Sequence, residues 1–164
     1  MGIASVRAFF AERGLDPQIT ELEVSTATVA LAAQAHGVEP GRIAKTLAFR
    51  MHDGRVLLLV ARGDARVDNT QFKAAFGKGK MLGAEDVEAL TGHPVGGVCP
   101  FGLATPLPVY LDRSLQDFDE VLPAAGSVNS ALRISPARMA ELTGGQWVDA
   151  CHNALNSQHI GAWR

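Results

Sequence analysis

Apolar residues recur at helical spacing at the start of the chain, where Ile3, Val6, Phe9 and Phe10 predict a helix over residues 3–13 that Gly14 can stop. LDPQITELEV then reads as extended, with Ile19, Leu22 and Val24 as its apolar members. A cap at Ser25 or Thr26 is expected to open a second helix, TATVALAAQAH, which ends at Gly37. After the turn EPGR come two strand-like runs, IAKTLAFR and VLLLVA. They flank MHDGR, whose Asp53-Gly54 pair is a strong hairpin signal. Alternation along the first run places Ile43, Lys45, Leu47 and Phe49 on one face and Ala44, Thr46, Ala48 and Arg50 on the other. Both faces are partly apolar, which predicts a strand buried on two sides.

Beyond RGDARVD, Asp68 or Asn69 caps a short helix, TQFKAAF, closed by Gly77. AEDVEALTG is another helix, with acidic residues in its first turn as the helix dipole favours. The glycine-rich VGGVCPFG precedes an apolar strand, LPVYLD. FDEVLPAAG and SALRIS predict two further strands around a turn at Gly126–Asn129. Ser135-Pro136 opens a last helix, PARMAELT, which stops at Gly144-Gly145. NALNSQHIGAWR has no pattern, and residues 151–164 are expected to form a loosely ordered tail. With no repeat, low-complexity segment or linker, residues 1–164 read as a single domain. Helices and short strands mix without regular βαβ alternation. The expected class is α+β, with a mixed, largely antiparallel, barrel-like sheet flanked by helices.

Composition narrows the partners. The longest apolar run, Val56 to Ala61, is far short of the ~20 residues a membrane helix needs, so no membrane partner is expected. Arg7, Glu12 and Arg13 interrupt the N-terminal segment, which lacks a signal-peptide core, and a cytoplasmic protein is the expectation. The net charge of −2 excludes a polycation that coats nucleic acid indiscriminately. Three of the four lysines, Lys73, Lys78 and Lys80, nevertheless fall within eight residues. With Arg62 and Arg66 they outnumber Asp64 and Asp68, leaving a local excess of three positive charges. That segment is either a solvated face or a patch that contacts phosphates.

Candidate chemistry is sparse. Lys45 shares a predicted strand face with three large hydrophobes, and burying an ammonium costs several kcal/mol unless it is paired or lines a wet pocket. A functional lysine and a lysine that snorkels from the strand end both fit the pattern. The VGGVCPFG loop offers backbone N–H groups suited to an oxyanion hole, each worth about 3 kcal/mol of transition-state stabilisation. It fits a tight connection at a sheet edge equally well, and it matches neither dinucleotide nor phosphate-loop spacing. Cys99 as a nucleophile requires a base, for which His93 is six residues away, but a buried small hydrophobe is the commoner fate of a lone cysteine. The histidines are scattered and Cys151-His152 is poor ligand spacing, so no metal and no cofactor are implied.

In combination these features resemble the YbaK family, free-standing aminoacyl-tRNA deacylases related to the editing insertion domain of bacterial prolyl-tRNA synthetase. The resemblance covers about residues 3–150. It rests on RIAKTLAF after a helix ending in HGV, on VGGVCPFG, and on AAGSVNSALRIS after LPVYLD. It implies hydrolysis of the ester that joins a small wrong amino acid (alanine, cysteine, serine or threonine) to the 3′ acceptor end of a tRNA, tRNA(Pro) or a related one. It also implies an aminoacyl-tRNA synthetase as a candidate partner; the other reading is a non-catalytic module of the same fold that binds tRNA or a synthetase. By the resemblance Lys45 is the essential side chain. Gly96, Gly97, Pro100 and Gly102 shape the aminoacyl pocket, with Cys99 as a wall residue. Gly126 and Asn129 mark a third pocket element, and Thr26 and Thr28 lie on the substrate side. Cys99 and Phe101 depart from the cysteine-specific branch. Lys73, Lys78 and Lys80 are the expected tRNA contacts.

Overall fold

The computed structural model describes residues 2–153. The chain runs α1 (Ile3–Ala11), β1 (Ile19–Glu21), α2 (Val29–His36), β2 (Ile43–Met51), β3 (Val56–Arg62), β4 (Ala65–Val67), α3 (Asn69–Phe76), β5 (Gly79–Met81) and α4 (Ala84–Thr91). It continues through β6 (Val109–Asp112), β7 (Leu122–Pro123), β8 (Ser130–Leu132), α5 (Pro136–Thr143), β9 (Gln146–Val148) and β10 (Cys151–Asn153). Residues 151–153, at the head of the expected tail, therefore form a strand; the rest of that tail lies outside the described residues.

Helix ends follow side-chain chemistry. Asp68 accepts from the Gln71 N–H to cap α3, and Ser135 accepts from the Arg138 N–H ahead of Pro136 to cap α5. The cap of α2 is Thr28, which accepts from the Leu31 N–H, not Ser25 or Thr26. Thr26 stays outside the helix, its N–H committed to the Val128 carbonyl 2.6 Å away. Gly37, Gly92 and Gly144 close α2, α4 and α5 in the left-handed conformation.

The main sheet has six strands in the order β5-β2-β3-β6-β9, with β7 also on β2. β2 pairs antiparallel with β3 and β5, whereas β7, β6 and β9 join in parallel. The sheet is mixed as expected, but it stays open and does not close into a barrel. Two antiparallel pairs, β1-β8 and β4-β10, complete the fold.

Alternation on β2 and β3 divides the core. Ala44, Ala48, Leu58 and Val60 pack with Val6 and Phe10 of α1, Val87 of α4 and Met139 of α5. Phe49, Leu57 and Leu59 face the other way onto Phe72 of α3. Ile43 packs with Ala32 and Ala33 of α2 and with Leu122 in a smaller third cluster. β3 is buried on both faces, whereas β2, expected to be so as well, is half-buried at Lys45, Thr46 and Leu47 and exposed at Arg50, because its outer edge is only partly covered.

Candidate active site

The partners of β2 leave a gap. β7 pairs with it at Ile43 and Ala44, and β5 pairs with it at Phe49 to Met51. Between these two contacts the edge of β2 borders a cavity of about 390 Å³. The walls are largely apolar: alanines, among them Ala44, Ala48, Ala124 and Ala131, alternate with larger residues such as Leu82, Val87 and Leu122, and Thr26 and Thr28 enter from the start of α2.

Lys45 lies in this gap and also lines a second, more polar cavity of about 660 Å³ with Asp64, Arg66, Asp68 and His152. Its Nζ donates to the Gly63 carbonyl at 3.2 Å and, in a short contact, to the Ala65 carbonyl. Burial lowers the Lys45 pKa, and Cys151 and Asp64 partly oppose that shift. Two carbonyls replace much of the lost water, so an ammonium persists at the seam of an apolar and a polar chamber. A snorkelling lysine would instead end in bulk solvent.

The polar chamber is ordered by local pairs. Arg62 grips Asp64, through Nη2 to Oδ2 at 2.8 Å, and also reaches Asp117 at 2.7 Å. Asp68 caps α3 and meets His152 Nδ1 at 3.1 Å. The Gln71 backbone N–H, and then His152, hold the Asp68 carboxyl below its ordinary pKa. His152 and Met81 carry no pattern that sequence reading could use. Both stand on three-residue strands, β10 and β5, too short for alternation to register. Met81 is 60% exposed and borders the apolar cavity, the polar cavity and a third groove.

That third groove, about 670 Å³, carries Lys73, Lys78 and Lys80 with Arg50, His52 and Asp86. Arg50 pairs with Asp86 at 3.8 Å, and the three lysine side chains are exposed. The basic segment thus opens directly beside the apolar cavity through Met81 and Leu82.

The glycine loop and the 126–129 turn divide between wall and support. Gly96 lines the cavity, where a Cβ would stand 2.8 Å from that of Ala27. Gly97 lies behind it: a Cβ there would meet the Ser127 backbone at 2.7 Å, and its carbonyl accepts from the Gly126 N–H at 3.0 Å. Gly126 in turn packs on Gly2, and Asn129 donates to the Leu22 carbonyl at 2.8 Å. Pro100 and Gly102 border a separate depression beside α1, and a Cβ on Gly102 (φ +62°) would strike the Ser5 carbonyl. The structure therefore brings Lys45, Thr26, Thr28 and Gly96 together, and sets Gly97, Gly126 and Asn129 as a brace. Pro100 and Gly102 do not reach the cavity, because that end of the loop is tied to α1.

Cys99 is not a wall residue. It is fully buried among Phe10, Phe101 and their neighbours, and burial pushes its thiol up to about 12. His93 Nε2 lies 3.7 Å from Cys99 Sγ but 2.7 Å from the Phe101 carbonyl. A carbonyl only accepts, so Nε2 carries the proton there and has no lone pair for the thiol. Both side chains are 0% exposed, and a thiol-nucleophile reading has neither base nor access.

No helix among the described residues is long and apolar enough to cross a membrane. Comparison with known proteins agrees with the geometry. The family model for the aminoacyl-tRNA editing domain matches residues 23–142. YwhH of Bacillus subtilis is 46% identical over 153 residues, covering 92% of this chain and 98% of that protein. EbsC of Enterococcus faecalis, which carries the name of a Cys-tRNA(Pro)/Cys-tRNA(Cys) deacylase, is 31% identical over 71% of this chain and 73% of its own. A crystal structure described as a trans-editing enzyme for prolyl-tRNA synthetase superposes with a TM-score of 0.84 at 35% identity, covering 92% of this chain and 97% of that one. A half-buried lysine lining an apolar cavity, in a fold and sequence shared with these proteins, places the chain in the aminoacyl-tRNA editing domain family, the YbaK-like deacylases.

Proposed function

We propose that the protein hydrolyses the ester of a mischarged tRNA in trans, with the aminoacyl group in the apolar cavity and the terminal nucleotide in the polar one. The observation that carries this reading is Lys45, which lines both chambers. In this arrangement Lys45 holds the phosphate of the terminal nucleotide with help from Arg66 and His152, and the acyl carbon rests against the edge of β2. The basic groove of Lys73, Lys78 and Lys80 takes the phosphates of the acceptor strand. The name carried by EbsC and the editing-enzyme structure support tRNA(Pro), or a tRNA related to it, as the carrier. We infer that the protein acts where tRNA is charged, in the cytoplasm and in the company of a synthetase.

The reaction needs no nucleophilic side chain. A water oxygen adds to the ester carbonyl carbon, and the bond from that carbon to the ribose oxygen breaks. The ribose oxygen receives the water's proton through the neighbouring ribose hydroxyl, and the amino acid departs as a carboxylic acid that ionises at neutral pH. An aminoacyl ester is already activated, so positioning and charge stabilisation supply the remaining rate. Alanines among the walls favour a small acyl side chain. One methylene changes binding by only about 1–3 kcal/mol, which is why a second hydrolytic sieve is useful.

The test is a panel of tRNA(Pro) species charged with alanine, cysteine, serine, threonine or proline. Release of at least one small non-cognate amino acid, with prolyl-tRNA spared, is the expected result. Binding of every species without turnover of any would instead identify a non-catalytic tRNA-binding module.

A further inference from the structure

The gap along β2 leaves the N–H and C=O of Thr46 without a partner strand. In an antiparallel pair, successive residues turn their N–H and C=O groups alternately to the two sides. Met51 donates to Arg55 on the β3 side, whereas the Ala48 carbonyl accepts from Leu82 at 2.9 Å and His52 donates to Lys78 at 2.8 Å on the β5 side. Even-numbered residues therefore point away from β3. Ala44 is met by β7, and Ala48 and Arg50 are met by β5 and the residue after it. Thr46 alone lies between, with its N–H and C=O directed into the cavity and no backbone partner among the described residues. Its Oγ1 is also buried and without a hydrogen-bond partner. A half-buried strand residue that turns an N–H, a C=O and a hydroxyl without protein partners toward a cavity is a template for a ligand that pairs like a strand.

An aminoacyl ester carries the complementary set, an α-ammonium that donates and a carbonyl oxygen that accepts, one carbon apart as in a strand residue. We propose that the main chain of Thr46 holds the aminoacyl group as a single added residue of the sheet: its N–H donates to the ester carbonyl and its C=O accepts from the α-ammonium. The inference rests on the deacylase reading of the cavity. Side chains of directly opposed strand residues lie on the same face. The acyl side chain then falls beside Ala44 and Ala48, which line the cavity. As water adds to the carbonyl carbon, negative charge grows on the oxygen that the Thr46 N–H already holds, so the same bond that positions the ester stabilises its tetrahedral intermediate.

Two measurements test the pairing. The first compares each aminoacyl-tRNA that the wild-type protein hydrolyses with its des-amino counterpart, propionyl-tRNA for alanyl-tRNA, each normalised to its uncatalysed hydrolysis. Loss of the charged donor is expected to lower kcat/KM by about 10- to 100-fold. The second is Thr46→Pro, which deletes the N–H without touching the β3 ladder and is expected to lower kcat by about 100-fold. Normalised rates that are equal with and without the α-ammonium overturn the pairing while leaving the deacylase reading intact, and they do so whether or not the proline variant folds. A protein that hydrolyses no aminoacyl-tRNA overturns both.

Discussion

Lys45 lines both chambers and holds its ammonium on two main-chain carbonyls, and burial lowers its pKa. The folded state binds that proton less tightly than the unfolded chain. Between the lowered value and the ordinary 10.5, stability therefore rises with pH while the functional charge disappears. Deacylation of the des-amino ester, which has no α-ammonium to titrate, corrected for uncatalysed hydrolysis, is expected to fall along an alkaline limb below 10.5, and Lys45→Arg is expected to remove that limb. A pH–rate profile of both proteins measures this; a limb that persists in the arginine variant would assign it to another group. Cys99 gives the contrasting case. Cys99→Ala removes one buried sulfur from the core, with an expected cost of about 1 kcal/mol in denaturant unfolding and no change in kcat. Lys45 was legible in the sequence only through the family resemblance, because a strand lysine beside Leu47 and Phe49 fits a snorkelling residue equally well. The burial of Cys99 followed from residue type, but its separation from the cavity did not, since that depends on which end of the loop is tied to α1.

The glycine loop acts through its packing on the 126–129 turn. Gly97→Ala places a methyl 2.7 Å from the Ser127 backbone, so the loop and turn must separate. The expected cost is about 1–3 kcal/mol, seen as a lowered midpoint in urea, together with weaker activity as Gly96 is drawn away from Ala27. Retention of full stability in that variant would contradict the brace. The helices and the central hairpin were legible because their signals are local: apolar spacing, Asp68 and Ser135 as caps, Asp53-Gly54 at the turn. β4, β5, β9 and β10 were not, for each has three residues and is defined by its partner rather than by its own pattern. The gap beside Thr46 is invisible in sequence for the same reason, being set by where β5 and β7 stop pairing.

On the scale of the whole molecule, an acidic chain presents a basic groove at one place, directly beside the apolar cavity. Lys73→Glu with Lys80→Glu is expected to weaken tRNA binding and flatten its dependence on salt by about two phosphate contacts, without lowering the thermal midpoint. Unchanged affinity and slope, measured by filter binding from low to high salt, would make the groove a solvated face. The charge cluster was plain in the sequence, whereas its position against the cavity required β5 to carry Lys80 and Met81 onto the edge of β2. The central claim remains that the charge at the junction of the chambers drives ester hydrolysis. Its most direct test is single-turnover deacylation of a mischarged tRNA(Pro) by wild-type protein and by Lys45→Ala, with folding verified by circular dichroism. The account predicts a loss of about 100-fold or more in the variant; a folded Lys45→Ala protein that deacylates at the wild-type rate would contradict it.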